Sequence, residues 1–285
     1  MADSLTRELE QSRARLRAMA YRMLGSVSDA DDALQEVWLR TRRTSEDAVR
    51  NPGGWLTTAL AHTCLDLLRS RSARREVPIG VRLPDPIVTA DGRTTPETQA
   101  LLADSIGLAL QVVLGHLDPA ERVAFVLHDS FAVPFGEIAA ILDRSPEAAR
   151  QLASRARRRV RAAPAPEGNL DDQRRVVDAF FAAARRGDIP ALVRVLAPDA
   201  VLRGDLGTGK LWETDNSDDA AAHAVRFANP RAVLRPVLVN GAAGAVVTVD
   251  GQSRSLMAFT VAGGRIVEID VLADPHRLPA VLPAE

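Results

Sequence analysis

Cysteine is nearly missing from this chain: Cys64 stands alone among 285 residues. An intrachain disulfide framework and a multi-cysteine zinc site are both excluded, and the usage suits a reducing cytoplasm. Lysine is equally rare. Lys210 is the only one, and every other strong base is arginine, a bias that GC-rich coding explains without any function. Aromatic residues make up 4% of the chain, too few for extended base-stacking surfaces. A formal net charge of −1 excludes a chain that is basic or acidic throughout. No apolar run approaches the length of a membrane span, and the polar start "MADSLTRELEQSR" predicts no signal peptide.

What the chain does have is helical periodicity and local clusters of arginine. Residues 1–75 read as an all-helical domain. Leu5, Leu9, Leu16, Met19, Ala20 and Met23 recur at three- and four-residue spacing, which predicts an amphipathic helix that stops near Gly25. Ser28 with Asp31 resembles a capping box that opens a second helix, with Ala33, Leu34, Val37 and Trp38 inward. After "NPGGW" a third helix carries Leu56, Leu60, Cys64, Leu67 and Leu68 on one stripe and ends in "RSRSARR". Residues 76–96 have Pro and Gly but no helical period, so they read as a linker. Val81, Leu83, Ile87 and Val88 are nevertheless too apolar for an idle tether.

Helices resume over 97–162. Leu102, Ile106, Leu110, Val113 and Leu117 share a face, and Asp118, Pro119 and Glu121 form a helix-start signal. "PFGEIAAIL", the turn "DR" and "SPEAARQLASRARRRVR" then make a helix pair, the second helix capped by Ser145 with Pro146 at its first position. Its buried stripe is Ala149, Leu152, Ala153, Ala156 and Val160. That leaves Glu147, Arg150, Gln151, Ser154, Arg155 and Arg158 outward. No acid interrupts the arginines from Arg150 to Arg161. Charge of one sign behind a short-turn helix pair points to a DNA-binding helix-turn-helix, because the arginine fork suits guanine and phosphate. A second hinge follows at 163–170, and 171–285 reads as α+β: helices near 170–186 and 189–196, then an antiparallel sheet with turns at Asn240-Gly241 and Gly263-Gly264.

One stretch of this last domain imitates a nucleotide site. In "RGDLGTGKLW", Gly204, Gly209 and Lys210 have the spacing of a phosphate-binding loop. That loop needs Ser or Thr after the lysine to hold magnesium, and a helix directly behind it. Leu211 occupies the position and several polar residues follow, so an NTPase is excluded.

"RLRAMAYRMLGSVSDADDALQEVWLR" with "NPGGWLTTALAHTCLDLLRSRSARRE" resembles region 2 of an extracytoplasmic-function (ECF) sigma factor, and "LDPAERVAFVLHDSFAVPFGEIAAILDRSPEAARQLASRARRRV" resembles region 4. The remainder is similar to the SnoaL-like cone of the ketosteroid-isomerase type that one sigma subgroup carries. The resemblance thus implies two all-α helical domains followed by an α+β cone. That subgroup has Trp-Leu-Pro-Glu-Pro in its linker, where this chain has Arg82 before Leu83-Pro84-Asp85-Pro86. Its Asp-Gly-Gly-Gly-Lys turn corresponds, with one inserted residue, to Asp205, Gly207, Gly209 and Lys210. Its Asn-Pro-Asp-Lys-Leu motif corresponds to Asp274, Pro275, His276, Arg277 and Leu278.

The resemblance implies a role for each set. Asp29, Asp32, Gln35, Glu36, Trp38 and Leu39 match the helix that grips core RNA polymerase. Arg42, Arg43, Asn51 and Trp55 match the −10 element reader, with Thr57, Thr58, His62 and Arg69 lining the same DNA; few aromatics imply dependence on a well-matched promoter. Arg150, Gln151, Ser154, Arg155 and Arg158 match the −35 element reader, and Cys64 is simply buried. The implied function is promoter-specific transcription initiation in the cytoplasm with core polymerase and promoter DNA as partners, regulated in cis by a cone that docks on the linker or on the two DNA-binding units. No membrane, metal or cofactor is implied, and no catalysis. Asp205, His223, Asp250 and Asp270 are the cone's available acid-base groups, but their spacing singles out no pair. Ligand sensing and intramolecular regulation both stay open for the cone. Two other readings compete: a helix-turn-helix regulator that never touches polymerase, and a DNA-binding module fused to an isomerase- or cyclase-like enzyme.

Overall fold

The computed structural model describes residues 4–44, 49–74, 82–90, 107–161, 163–167, 169–209 and 211–282. They divide into two compact units, one from the described residues of 1–79 and 113–162, the other from those of 80–94, 106–112 and 163–285. The expected helix face at Leu102 and Ile106 lies outside the described residues, as do Val81 and Lys210.

The first unit is helical. Helix α1 (Ser4–Leu24) buries Leu5, Leu9, Leu16, Met19 and Met23, and it ends where Gly25 takes φ 74°. Helix α2 (Val27–Thr41) begins earlier than the sequence suggests: its cap is Ser26, whose Oγ accepts from the Asp29 amide. Helix α3 (Pro52–Arg74) buries Leu56, Leu60 and Cys64 against both. In the same unit, α5 (Pro119–Phe125) runs into a π-helical turn at Val126–Ser130. Then come α6 (Phe135–Leu142) and α7 (Pro146–Val160), and the turn between them places Asp143 at φ 53°. Ala149, Ala153 and Ala156 are fully buried on α7; their small side chains let it lie close to α5 and α6.

Helix α3 also packs on α5 and α6, and one side chain of α5 ties that helix in turn to α1. Arg122 of α5 is buried, and its Nε and Nη2 donate to the Arg22 carbonyl of α1 at 3.2 and 3.1 Å. Burial lowers its pKa to about 10. The guanidiniums of Arg15 and Arg22 lie 5.9 and 5.1 Å over the Phe131 ring beside it. Cys64 is buried, and desolvation pushes its thiol up to about 12, so it packs as a small apolar group.

The second unit is a sheet with three helices on one face and shorter helical segments on the other. Its helices are α8 (Leu170–Arg186), α9 (Ile189–Val195) and α10 (Ser217–Phe227). Asn169 caps α8 and Gly187, at φ 66°, ends it. The strands are β1 (Val88–Ala90), β2 (Leu196–Asp205), β3 (Leu211–Thr214), β4 (Val233–Val239), β5 (Ala242–Val249), β6 (Gln252–Ala262) and β7 (Arg265–Leu272). Their order is β1-β4-β5-β6-β7-β2-β3. The expected antiparallel sheet needs one correction, because β2 runs parallel to β7. The helices Leu170–Arg186 and Ile189–Val195 precede β2, and the rest of the sheet separates it from β7 in sequence, so no hairpin fixes that pairing.

Alternation along the strands sorts residues to two faces. Leu202 and Ile269 join Phe180, Ala183, Leu192 and Phe259 in the core beneath the helices. Val237, Val239, Val246, Leu256 and Leu272 form a second core on the opposite face, closed by Leu108 of α4 (Leu108–Gly115) and Leu278 of α11 (Leu278–Val281).

Candidate functional sites

On α2 the helical spacing turns Asp32, Gln35, Glu36 and Leu39 to solvent as one stripe, with Leu39 38% exposed. An exposed leucine among acids suits a partner groove that is basic and partly apolar. Two residues of the expected set sit beside this stripe. Asp29 is half-buried and pairs with Arg71 of α3 at 2.6 Å. Trp38 is half-buried with the Arg42 guanidinium 5.1 Å over its ring.

The residues expected at the −10 element divide more sharply. Arg42, Arg43, Asn51 and Arg69 are exposed, while Trp55, Thr58 and His62 are half-buried. The Asn51 carboxamide accepts from the Gly54 amide at 3.1 Å and so starts α3. Thr57 does not join the others: it is buried, and its hydroxyl donates to the Gly53 carbonyl at 2.9 Å.

Helix α7 presents Arg150, Gln151, Ser154, Arg155 and Arg158 outward. Its start follows from Ser145, whose Oγ accepts from the Ala148 amide, and from Pro146 in the first turn. The arginines are less alone than their sequence suggests. Glu121 of α5, expected to reach back to its own helix start, is instead buried against α7, with Oε1 2.9 Å from Arg155 and Oε2 3.1 Å from Arg159. Asp129 pairs with Arg157 at 2.5 Å. One acid thereby aligns two arginines a helical turn apart, and Arg150 is steadied over the Phe135 ring at 5.6 Å.

In the second unit the motif residues, far apart in the chain, converge. Strand β1 adds to the sheet edge beside β4, pairing Val88 with Val239 and Ala90 with Val237. Asn240 locks its start: the side-chain oxygen accepts from the Ile87 amide at 2.7 Å, and the Asn240 amide donates to the Ile87 carbonyl at 2.8 Å. Ahead of it Leu83 is buried, with its amide donating to Asp205 Oδ2 at 3.1 Å. Arg277 closes over this segment. Its Nη2 donates to the Leu83 carbonyl at 2.6 Å, its Nε to Asp85 at 3.1 Å, and its Nη1 pairs with Asp205.

The loops that present these groups are braced in turn. Asp274 Oδ1 accepts from the His276 amide at 2.8 Å and orients the turn that carries Arg277. Gly207, at φ 74°, lies so near Asp274 that a Cβ would meet its carboxyl carbon at 2.8 Å. Pro86 and Leu278 are buried, Pro84 is half-buried, and Gly209 and Pro275 are exposed. The expected contact of Lys210 lies outside the described residues.

The cone's acid-base groups do not assemble. Asp205 belongs to the Arg277 clasp. Asp270 lies on the same outer face with Glu268, and both hold Arg203 at 2.8 Å. His223 and Asp250 border a cavity on the other face, where Asp250 pairs with Arg231 at 3.2 Å.

Two carboxylates on one buried guanidinium leave a surplus negative charge. Burial is the main cause that raises Glu268 to about 7 from 4.5; Asp270 adds to it and Arg203 opposes it. A folded pKa above the unfolded value means that stability is present in full below 4.5 and lost as pH rises through about 7. The cone is therefore expected to lose on the order of 2–3 kcal/mol from this group between pH 4.5 and 7.5. Glu268→Gln should flatten that slope when melting temperature is followed against pH. An unchanged slope would place the titration elsewhere.

Comparison with known proteins adds independent findings. A sigma-70 region 2 family model matches residues 9–74, and a sigma-70 region 4 model matches residues 107–160. The chain is 39% identical over 293 aligned positions to the ECF RNA polymerase sigma factor SigJ of Mycobacterium tuberculosis (strain H37Rv), covering 95% of this chain and 92% of that protein. It is 32% identical to the probable ECF sigma factor SigI of M. tuberculosis (strain CDC 1551), over 93% and 92% of the two chains. The crystal structure of M. tuberculosis SigJ superposes with a TM-score of 0.76 at 35% identity, covering 98% of this chain and 99% of that one.

Proposed function

The chain belongs to the ECF sigma factors of RNA polymerase, and from that premise we propose a division of labour among its surfaces. The α2 stripe from Asp32 to Leu39, flanked by Asp29 and Trp38, docks on core polymerase. Arg42, Arg43, Asn51, Trp55 and Arg69 engage the −10 element, with Thr58 and His62 beside them. Arg150, Gln151, Ser154, Arg155 and Arg158 engage the −35 element. Family membership disfavours a regulator that never meets polymerase. The site of action is the cytoplasm, where core enzyme and promoter are found; no helix among the described residues is long and apolar enough to cross a membrane.

The second unit acts in cis and without catalysis, by holding residues 83–90. The observation that carries this reading is the clasp: one guanidinium, Arg277, ties the Leu83 carbonyl, Asp85 and Asp205 together. A side chain that bridges the linker and the cone's own loop makes linker geometry depend on the cone.

The promoter-reading half is tested by run-off transcription with cognate core polymerase. Arg150→Ala with Arg158→Ala should lower initiation about tenfold or more, since each arginine that reads a base contributes about 1–3 kcal/mol. Promoters altered at the −35 element should show little further loss. A uniform loss on every template would reduce these arginines to general phosphate contacts. Leu39→Glu should weaken core binding in a pull-down without changing the fold, and undiminished binding would remove α2 as the docking surface.

A further inference from the structure

The second unit contains a cavity of about 690 Å³ beside its helices, within the roughly 300–1,000 Å³ of small-molecule sites. Its wall is rich in rings, among them Phe180, Phe181, Trp212, His223 and Phe227. The His223 ring lies 3.9 Å from that of Trp212 and stacks on Phe227 at 5.3 Å and 16°. Desolvation first, then Arg226, lowers the His223 pKa from its ordinary value, with Asp219 opposing. Gly204 makes room for this wall: a Cβ there would meet Trp212 at 3.0 Å.

Two observations at the mouth point to a ligand. Leu206 and Phe227 border the cavity yet are 54% and 70% exposed, apolar surface that an occupant would cover. The charge there is also lopsided, with Arg185, Arg231 and Arg254 against Asp250. Arg231 is held by Asp250, and Arg185 donates to the Ala232 carbonyl at 3.2 Å. Arg254 has no carboxylate partner among the described residues.

We infer that this cavity binds a flat, apolar carboxylate, its rings against Trp212, His223 and Phe227 and its carboxylate on Arg254, and that occupancy is felt at the clasp. The second half rests on the clasp reading above. The path is one peptide bond long on each side: Leu206 follows Asp205, and Ala273 precedes Asp274. Leu206 and Ala273 line the cavity, and the Ala273 amide donates to the Asp205 carbonyl at 2.8 Å. A ligand that presses on Leu206 and Ala273 differently in clasped and released states must shift the balance between them.

Calorimetry on the intact chain tests the site, with 2-naphthoate as ligand and 2-naphthamide as its uncharged counterpart. Naphthoate should bind about tenfold tighter, the usual gain from a charge-assisted pair. Arg254→Gln, an exposed change that leaves the fold alone, should erase the preference and spare naphthamide binding. Ala224→Trp should fill the cavity and remove both. Equal affinity for the two ligands, no binding at millimolar concentration, or binding that survives both substitutions would each overturn the site. Hydrogen exchange of residues 82–90 with saturating naphthoate reads the coupling. A change of about fivefold is expected, whereas unchanged exchange with ligand bound overturns the coupling and leaves the site standing. Calorimetry does not depend on transcription, so failure of the clasp reading would be seen separately.

Discussion

Arg122→Ala is expected to open the first unit and to tighten its grip on core polymerase. The substitution removes two hydrogen bonds to the Arg22 carbonyl and leaves that oxygen buried without them. A loss of this kind costs about 2–4 kcal/mol. The first unit should melt roughly 5–10 °C lower, and its radius from solution scattering should grow. The gain in polymerase affinity follows from promoter geometry. The −10 and −35 elements lie about 25 base pairs apart, roughly 85 Å of duplex at 3.4 Å per pair. On the division of labour proposed above, a unit in which α3 packs directly on α5 and α6 would have to open for both elements to be read together. Loosening it in advance removes part of the opening cost from binding, and apparent core affinity should rise about fivefold. Arg122→Lys, which keeps the charge but loses the fork, should fall between the two. A lowered melting point with unchanged radius and unchanged affinity would make Arg122 a packing residue only.

The second large effect is expected from the clasp. Arg277, Asp85 and Asp205 are largely buried, with side chains 12%, 19% and 5% exposed. Removing the shared cation leaves two carboxylates facing each other and a linker carbonyl without its donor, which costs about 3–5 kcal/mol for a buried pair. In Arg277→Ala, amide exchange over 83–90 should speed up at least about tenfold. Initiation should then fall about threefold at the preferred promoter, because a linker of fixed path favours one spacing between the elements. Promoters with one or two base pairs added to or removed from the spacer should gain by comparison. Arg277→Lys should recover part of both effects. Faster exchange with an unaltered spacer preference would leave the clasp as a fold element with no say in initiation.

Much of the fold was legible because its signals are local. Asn169 ahead of Leu170 and Gly187 after Arg186 delimit α8 at the residues where the sequence places it, and the alanine stripe of α7 is buried as its spacing predicts. Signals failed where the deciding partner lies far along the chain. Val88 is visibly too apolar for a tether, but its strand exists only through Val239, and three residues cannot announce a sheet. Glu121 has the look of a helix-start acid, and only the fold brings Arg155 and Arg159 to it. Thr57 faces inward because a single residue step along α3, about 100°, rotates it away from Thr58, a distinction that the motif alone does not carry. Of the candidate sites, the clasp set was readable as three motifs. What could not be read was that Arg277 joins all three, since neither the distance to Asp85 nor that to Asp205 is encoded locally.

Because β1 is a member of the cone's sheet and not a free tether, its release would lengthen the connector in a single step. Residues 83–90 lie along the cone's edge from Leu83 to Ala90, and an extended stretch of that size spans roughly 26 Å. Held in place, it contributes none of that reach to the span between the two promoter readers. Stripped off, it contributes all of it. On the regulatory reading proposed above, the cone would act as a ruler with two settings, and promoter choice would follow whichever setting is populated.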